Sequence, residues 1–251
     1  MARNHNYHFF FYGVFFLLII SFVDGAIQNK NKLLFFFDKV EVFGDLDVFI
    51  KKGDKRGKVS IFADSQIIDD VVTDVRNKTL RLDANNSFSF GRRIPFVRVD
   101  AVRKFPVEII VSVSELSELH LFDQSNLTCS GIEGSELKIF HAGSGNLYLE
   151  DNLISKVRTH QTGNGSIYLK GEQTVELESE IEGYGDMDAG EFNVDSVKIF
   201  HRGTGTAHLN SKEWVDARIF SSGSILLHQN PNKMVVDQKG TGKINSLLEE
   251  L

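Results

Sequence analysis

Four Gly-x-Gly triplets recur along the chain at intervals of 20 residues. They are Gly143-Ser144-Gly145, Gly163-Asn164-Gly165, Gly183-Tyr184-Gly185 and Gly203-Thr204-Gly205. Weaker copies continue the series on both sides: Asp123-Gln124-Ser125, Ser221-Ser222-Gly223 and Gly240-Thr241-Gly242. A nearly fixed period of this length is typical of stacked structural repeats. We therefore expect these triplets, called corners below, to mark the successive coils of a solenoid.

The residues around each corner alternate between apolar and polar side chains. Leu137 and Ile139 precede the first Gly-x-Gly corner, and Leu147 and Leu149 follow it, with polar residues such as Lys138 between them. The later copies repeat this alternation. A period of two predicts β-strands that bury one face.

Two such strands separated by a corner form about one 20-residue coil of a parallel β-helix. Successive coils of this kind stack about 4.8 Å apart. Glycine suits the corner because it tolerates positive φ and carries no Cβ. The predicted fold class is therefore all-β, a parallel β-helix or β-solenoid.

The strand pattern predicts one solenoid domain over residues 33–246. Its first part, residues 33–115, has β character but a less regular period, and the regular repeats occupy residues 116–246. We expect the first part to pair with the first coil or to cap it, because an open sheet edge would attract other chains. Residues 247–251 form a C-terminal tail, which we interpret as a short amphipathic lid.

Residues 1–25 are predicted to be a signal peptide. Arg3 precedes an apolar run over residues 9–23, and cleavage is expected near Gly25 or Ala26. An uncleaved signal anchor is the alternative, although the run is shorter than the roughly 20 residues that span a bilayer. The prediction is a secreted or cell-surface protein that has no integral membrane domain once the signal is removed.

Four sequons are possible N-glycosylation sites if the source is a eukaryote. Their acceptors are Asn77, Asn85, Asn126 and Asn164. The net charge of -6, with no basic stripe, argues against nucleic acid as a partner. With Cys129 as the only cysteine, no intramolecular disulfide can form.

Several segments together resemble a known family. They are VEVFGDLDVFIKKG at residues 40–53, DVRNKTLRL at 74–82, VSELSELHLFDQSNL at 113–127, and the tandem GSGNLYL, GNGSIYL, GYGDMDA and GTGTAHL. In order and spacing they resemble the family described as putative auto-transporter adhesin, head GIN domain, over residues 35–244. The resemblance implies a β-helical, mostly extracytoplasmic domain whose molecular function is largely unassigned.

Neither the histidines nor the corners predict a metal or a cofactor. His141 and His201 occupy equivalent inward positions, but three coils separate them by about 14 Å, which is too far to share one ion. We interpret the histidines as hydrogen-bonded spacers within the stack or as ordinary surface groups. The corners lack the third glycine and the helix of a nucleotide-binding loop.

An enzymatic function is the alternative to a binding function, and it would depend on two carboxylates, Glu180 and Asp186. They lie in an acidic stretch around the third Gly-x-Gly corner, and glycoside hydrolysis uses two carboxyl groups about 5–9 Å apart. The alternative function is therefore a carbohydrate-active hydrolase or lyase with an exposed acidic face. The competing interpretation is a solvated strand face that opposes basic neighbours.

The preferred prediction, a binding function, is based on aromatic residues that point outward. Phe140 and Phe200 share one column of the repeat, and Tyr148 and Tyr168 share another. Such columns either stabilise stacking as ladders or bind sugar rings and apolar patches of a partner. We predict a non-catalytic binding, adhesion or scaffold module whose partner is an unidentified surface glycan or protein. A purely structural coat component is the third alternative.

Overall fold

The computed structural model describes residues 26–54, 56–94 and 97–247, and for residues 87–94, 97–103 and 173 it describes the backbone only. Across these residues the chain is all-β, and no helix is long and apolar enough to cross a membrane. The predicted signal peptide lies outside the described residues, as does the tail beyond Leu247. The predicted fold class is confirmed, with a solenoid of about six turns in the C-terminal part.

Twenty strands follow one another along the described chain. The first ten are β1 (Ile27–Leu33), β2 (Lys39–Val42), β3 (Asp47–Lys52), β4 (Lys58–Asp64), β5 (Val72–Arg76), β6 (Thr79–Asp83), β7 (Ser87–Ile94), β8 (Val97–Lys104), β9 (Val107–Val113) and β10 (Glu118–Leu121). The others are β11 (Asn126–Ser130), β12 (Glu133–His141), β13 (Leu147–Glu150), β14 (Leu153–Gln161), β15 (Ile167–Ile181), β16 (Met187–His201), β17 (Thr206–Ile219), β18 (Ser224–Leu227), β19 (Lys233–Gln238) and β20 (Ile244–Ser246).

The corners divide the solenoid into two strand stacks. The stack before the corners, called the front sheet, has the order β5-β6-β2-β10-β12-β14-β15-β16-β17-β19. The stack after the corners, called the back sheet, has the order β1-β4-β9-β3-β11-β13-β15-β16-β17-β18-β20. The long strands β15, β16 and β17 pass from the back sheet into the front sheet.

The N-terminal half extends both sheets beyond the first regular coil. β2 and β3 pair in parallel with β10 and β11, so this half continues the solenoid, as predicted. Its outer strands then pair antiparallel: β5 with β6 in the front sheet, and β1 with β4 and β4 with β9 in the back sheet. The hairpin of β7 and β8 forms a separate two-stranded sheet.

The core fills the space between the two sheets. Leu137, Ile139, Leu147 and Leu149 are at most 2% exposed, and equivalent residues of later coils are buried with them. Adjacent coils align these positions directly, for example Leu137 with Val157. This arrangement confirms the inward face predicted from the alternation.

The corner glycines are required by close stacking rather than by positive φ. None of the Gly-x-Gly corner residues has a positive φ, which corrects one reason given for glycine there. A Cβ built on Gly165 would overlap the carbonyl oxygen of Gly145 one coil earlier, and a Cβ on Gly185 would overlap that of Gly165. Each corner therefore packs backbone directly against backbone, and a side chain at these positions forces the coils apart.

A ladder of side chains also joins consecutive coils just after the corners. Asn146 Oδ1 accepts a hydrogen bond from the Ser166 amide at 3.1 Å, and the Asp186 amide donates to Ser166 Oγ at 3.2 Å. Asp186 Oδ1 then accepts from the Thr206 amide at 2.7 Å. Each polar side chain in this ladder satisfies a backbone donor of the next coil.

Candidate functional site

A groove runs along the outward face of the front sheet. Alternate residues of this sheet point outward, and the register aligns them in columns along the solenoid axis. The central column contains, in order, His120, Phe140, His160, Glu180 and Phe200. These residues line a groove of about 530 Å³.

Aromatic contacts run along the first half of this groove. The ring of Phe140 lies 5.8 Å from that of His120 and 5.4 Å, edge to face, from that of His160. Phe122 in the neighbouring column lies 5.8 Å from Phe140 and stacks on Phe43 at 4.6 Å. The rings are thus packed against each other, and they still present part of their surface to solvent.

Ion pairs line the sides of the groove. Arg158 Nε lies 2.9 Å from Glu136 and 3.2 Å from Glu178. Arg202 pairs with Glu180 and with Glu182. Such exposed pairs contribute little to stability, but they hold charged groups in fixed positions beside the rings.

One cation of the groove is not engaged in this way. Lys138, beside Phe140, forms no ion pair with any residue that the structure describes, although its charge acts on Glu118 at longer range. Its ammonium group is solvent-exposed and adjoins the aromatic half of the groove. It is therefore available to a ligand.

Phe200 lies at the other end of the groove. Three coils separate it from Phe140 in the register, which corresponds to about 14 Å. The ammonium of Lys198 lies 5.1 Å from its ring centroid and the guanidinium of Arg218 lies 5.0 Å from it. Cation-π contacts thus hold this ring on the sheet.

Tyr148 and Tyr168 form a separate aromatic surface on the back sheet. Their rings stack with centroids 4.9 Å apart and an angle of 9° between their planes. Neither residue lines the groove. The four residues predicted to bind a partner are therefore divided between two faces, and only Phe140 and Phe200 share one site.

The two candidate catalytic carboxylates lie on opposite sides of the Gly183-Gly185 corner. Glu180 lines the groove, where Arg202 donates a hydrogen bond to it. Asp186 does not line the groove, and it accepts the amide hydrogen bond of Thr206 described above. Each carboxylate thus has a structural partner, and a joint catalytic role stays a prediction.

Most of the chain matches the sequence model of one protein family. The model of the family described as putative auto-transporter adhesin, head GIN domain, matches residues 36–231. The chain belongs to the head GIN domain family. The resemblance based on the sequence segments is thereby confirmed, and residues 36–231 include strands β2 to β18 and the whole groove.

Solved structures with the same fold come from species of Bacteroides and Parabacteroides. A putative adhesin from Bacteroides fragilis superposes with a TM-score of 0.75 at 18% identity, covering 88% of this chain and 97% of that one. A putative adhesin from Parabacteroides merdae gives 0.62 at 20% identity, with 89% and 97% covered. A putative lipid binding protein from Parabacteroides distasonis gives 0.62 at 17% identity, with 89% and 98% covered. A search of curated proteins finds no match.

The buried histidines of this head GIN domain hydrogen-bond the corners. His141 and His201 are fully buried, and their Nε2 atoms lie 2.8 Å from the carbonyl oxygens of Gly145 and Gly205. Burial lowers the pKa of both imidazoles, against the opposing effect of these hydrogen bonds. The prediction that they are hydrogen-bonded spacers is confirmed.

A second histidine pair escaped the sequence reasoning. His208 Nδ1 lies 3.0 Å from His228 Nε2, although the two residues belong to different strands. The ring of His228 fits against Gly190, where a Cβ would collide with it. The register pairs His208 with Leu226, two residues before His228, so the repeat alone gave no signal for this contact. Within the described residues no group of three or more His, Cys, Asp and Glu side chains is arranged to hold a metal ion.

Cys129 and the asparagines of the four sequons are the remaining candidates for chemical reaction or modification. Cys129 is buried, and desolvation raises the pKa of its thiol to about 12, so it is not a nucleophile at neutral pH. Asn77, Asn85 and Asn164 are exposed. Asn126 is also exposed, but its amide donates to Asp47 at 3.0 Å and its Oδ1 accepts from the Asn146 amide at 2.9 Å.

Proposed function

We propose that this head GIN domain is a non-catalytic recognition module of the cell exterior that binds its partner in the front-sheet groove. The observation that carries this proposal is the 530 Å³ groove itself, with Phe140 at one end, Phe200 at the other and ion pairs along its sides. The predicted signal peptide and the adhesin names of the family and its structural neighbours support the location.

The groove offers two kinds of contact to a partner. The exposed parts of the Phe140 and His160 rings suit the C–H face of a sugar or an apolar side chain. Lys138 and the guanidinium of Arg158 suit hydroxyl or carbonyl oxygens. A surface glycan or an extended protein segment lying along the solenoid axis meets both.

The carboxylates in the groove favour binding over catalysis. Glu178 is within 3.2 Å of Arg158, and Glu180 accepts a hydrogen bond from Arg202. A general acid must deliver a proton to the leaving group, whereas these side chains are occupied by guanidinium donors. We therefore infer that they orient the arginines that contact a ligand.

A glycan array and a pull-down from extracellular extracts, both with the full chain, provide the first test. Lys138→Glu and the pair Phe140→Ser with His160→Ser should each reduce binding of any ligand found by tenfold or more. Tyr184→Ser is the matched control, because this corner tyrosine is 73% exposed and is not among the residues that line the groove.

Thermal unfolding of each variant separates lost binding from lost folding. Lys138→Glu alters an exposed residue that has no ion pair among the described side chains and should melt like the parent. Retained binding in Lys138→Glu and in the double variant, with loss in Tyr148→Ser and Tyr168→Ser instead, would move the site to the back sheet and overturn this proposal. Turnover of a bound glycan would favour the enzymatic alternative.

A further inference from the structure

Large apolar side chains project into solvent at the N-terminal end of the back sheet. Phe35 is 86% exposed, Ile27 is 72% exposed and Leu33 is 71% exposed. Phe36, beside them in the chain, is 40% exposed. Burying such side chains is favourable, and a contiguous group of them marks an interaction surface.

A strongly basic segment packs beside these residues. Residues 51–58, KKGDKRGK, contain five cations and one acid, in a chain whose net charge is -6. Leu33 is the register partner of Lys58, and the Leu34 amide donates to the Gly57 carbonyl at 2.8 Å. Lys51, Lys52, Arg56 and Lys58 of this segment therefore form one surface with Leu33, Phe35 and Phe36, called the end patch below.

The register shows how compact the end patch is. Leu33, Lys58, Ser112 and Lys51 are successive register partners across β1, β4, β9 and β3. Residues paired in this way point to the same face of a sheet, and three strand spacings amount to about 14 Å. One apolar and two basic side chains thus lie within the footprint of a few lipid headgroups.

Most of the cations in the end patch are unneutralised. Lys52 pairs with Glu133 at 2.5 Å, but Lys51, Arg56 and Lys58 form no ion pair with any other described residue. Lys78 adds a further cation 5.8 Å from the ring centroid of Phe36. The arginines of the groove, in contrast, are bonded to glutamates.

We propose that the end patch docks the domain on the surface of an anionic lipid bilayer. Leu33, Phe35 and Phe36 enter the interfacial region, while Lys51, Arg56 and Lys58 contact the anionic headgroups. Amphipathic surfaces that combine aromatic residues with cations bind bilayers in this way. A soluble polyanion would satisfy the cations but leave side chains that are 71% and 86% exposed in water.

The position of the end patch in the chain agrees with this occupant. The apolar run ends at Val23, four residues before Ile27. Leu33 lies ten residues after Val23, and ten residues span at most about 35 Å, so a chain that retains the run keeps the end patch within that distance of the membrane. The front-sheet groove lies on a different face and stays accessible while the end patch is docked.

Vesicle flotation with the full chain tests the proposal. The expected result is binding to phosphatidylcholine vesicles that contain phosphatidylglycerol, and much weaker binding to phosphatidylcholine alone. Arg56→Glu with Lys58→Glu should weaken binding by roughly 30-fold or more, from the usual contribution of each cation at a charged surface. Leu33→Ser with Phe35→Ser should weaken it by at least tenfold.

Matched controls use exposed residues outside the end patch. Tyr184→Ser removes an aromatic ring that is 73% exposed, and Lys212→Glu reverses a cation whose side chain is 73% exposed. Both should bind vesicles like the parent. The apolar run is common to all variants, so equal binding by the end-patch variants and the controls overturns the proposal.

A tryptophan probe distinguishes a bilayer from the other possible occupants. In Phe35→Trp, phosphatidylglycerol vesicles should shift the added fluorescence to the blue, and brominated lipids should quench it. Heparin should give no shift. Binding to heparin at least as tight as to vesicles, or self-association that buries the probe without lipid, would assign the end patch to a soluble polyanion or to a second copy.

Discussion

The Nε2 atom of His201 lies 2.8 Å from the carbonyl oxygen of Gly205, four residues later in the chain. A carbonyl only accepts, so the imidazole carries its proton on Nε2, and the buried Nδ1 has no partner in the described structure. Gln161 makes the same contact with Gly165 at 2.8 Å, and Gln238 makes it with Gly242. A side-chain donor two residues before the corner thus satisfies its last carbonyl in several coils, and this donor is buried at His141, Gln161 and His201.

This contact predicts an acid-sensitive fold. Burial lowers the pKa of His141 and His201 below the ordinary value of about 6.5. Above that value both imidazoles are neutral in the folded and unfolded states. As the pH falls below it, the unfolded chain takes up protons that the folded chain resists, so the free energy of unfolding decreases until the pH is below the folded pKa. Chemical denaturation across pH 8 to 4 measures this loss.

The chain itself supplies the matched control for this prediction. Because Gln161 donates to its corner without titrating, His141→Gln with His201→Gln should keep the hydrogen bonds and reduce the acid sensitivity. His141→Leu and His201→Leu should instead destabilise the fold by about 1–3 kcal/mol per site even at pH 8, since each leaves a buried carbonyl unpaired. Equal pH dependence in parent and glutamine variants contradicts the assignment.

Gly165→Ala should destabilise the solenoid because its Cβ would overlap the Gly145 carbonyl oxygen. Overpacking of this kind costs roughly 1–3 kcal/mol, and valine should cost more. Gly134→Ala is the control, since a Cβ there meets nothing within 4 Å. Thermal unfolding by circular dichroism should show a lower Tm only for the Gly165 variants.

Asp186 offers a test between a structural and a catalytic carboxylate. Its Oδ1 accepts a hydrogen bond from the Thr206 backbone amide of the next coil. Asn146 makes the equivalent contact with a side-chain amide oxygen, which accepts from the Ser166 backbone amide. Asp186→Asn should therefore leave stability nearly unchanged, whereas Asp186→Ala should lower it by about 1 kcal/mol. If the parent cleaves a glycan and Asp186→Asn abolishes this cleavage without affecting Tm, the catalytic interpretation is correct.

The stacked pair of Tyr148 and Tyr168 should contribute to stability beyond the area it buries. A double-mutant cycle with Tyr148→Ser and Tyr168→Ser should give a coupling free energy of about 0.5–1.5 kcal/mol. Additive losses would show that the stacking at 4.9 Å is not energetically coupled. Unchanged ligand binding in both variants would identify the pair as a structural ladder.

The repeat was predictable from the sequence because its signal is local and periodic. Corner spacing and alternation determined which residues, such as Leu137 and Ile139, lie inside. The reason for glycine was not predictable in full, since the overlap at Gly165 comes from a carbonyl 20 residues away. The antiparallel pairing of β1 and β4 has no periodic signal either.

The candidate site was only partly predictable. The repeat period predicts that Phe140 and Phe200 share one column. That the ion pairs of Arg158 and Arg202 lie beside this column depends on side-chain geometry, which the period does not give. The pair of His208 and His228 was missed because different strands were assumed to separate them. The end patch required the register of Leu33 with Lys58, which the sequence alone does not contain.

The hydrogen bonds between coils run along the solenoid axis, as in the parallel pairing of β12 with β14. Tension applied between the two ends of the domain therefore loads these ladders in series, so every interface between coils bears the same force and the weakest one opens first. Each detached coil of 20 residues releases about 70 Å of extended chain. A domain tethered at one end and bound to a partner at the other would lengthen in steps, and it would absorb mechanical work before the bond to the partner breaks.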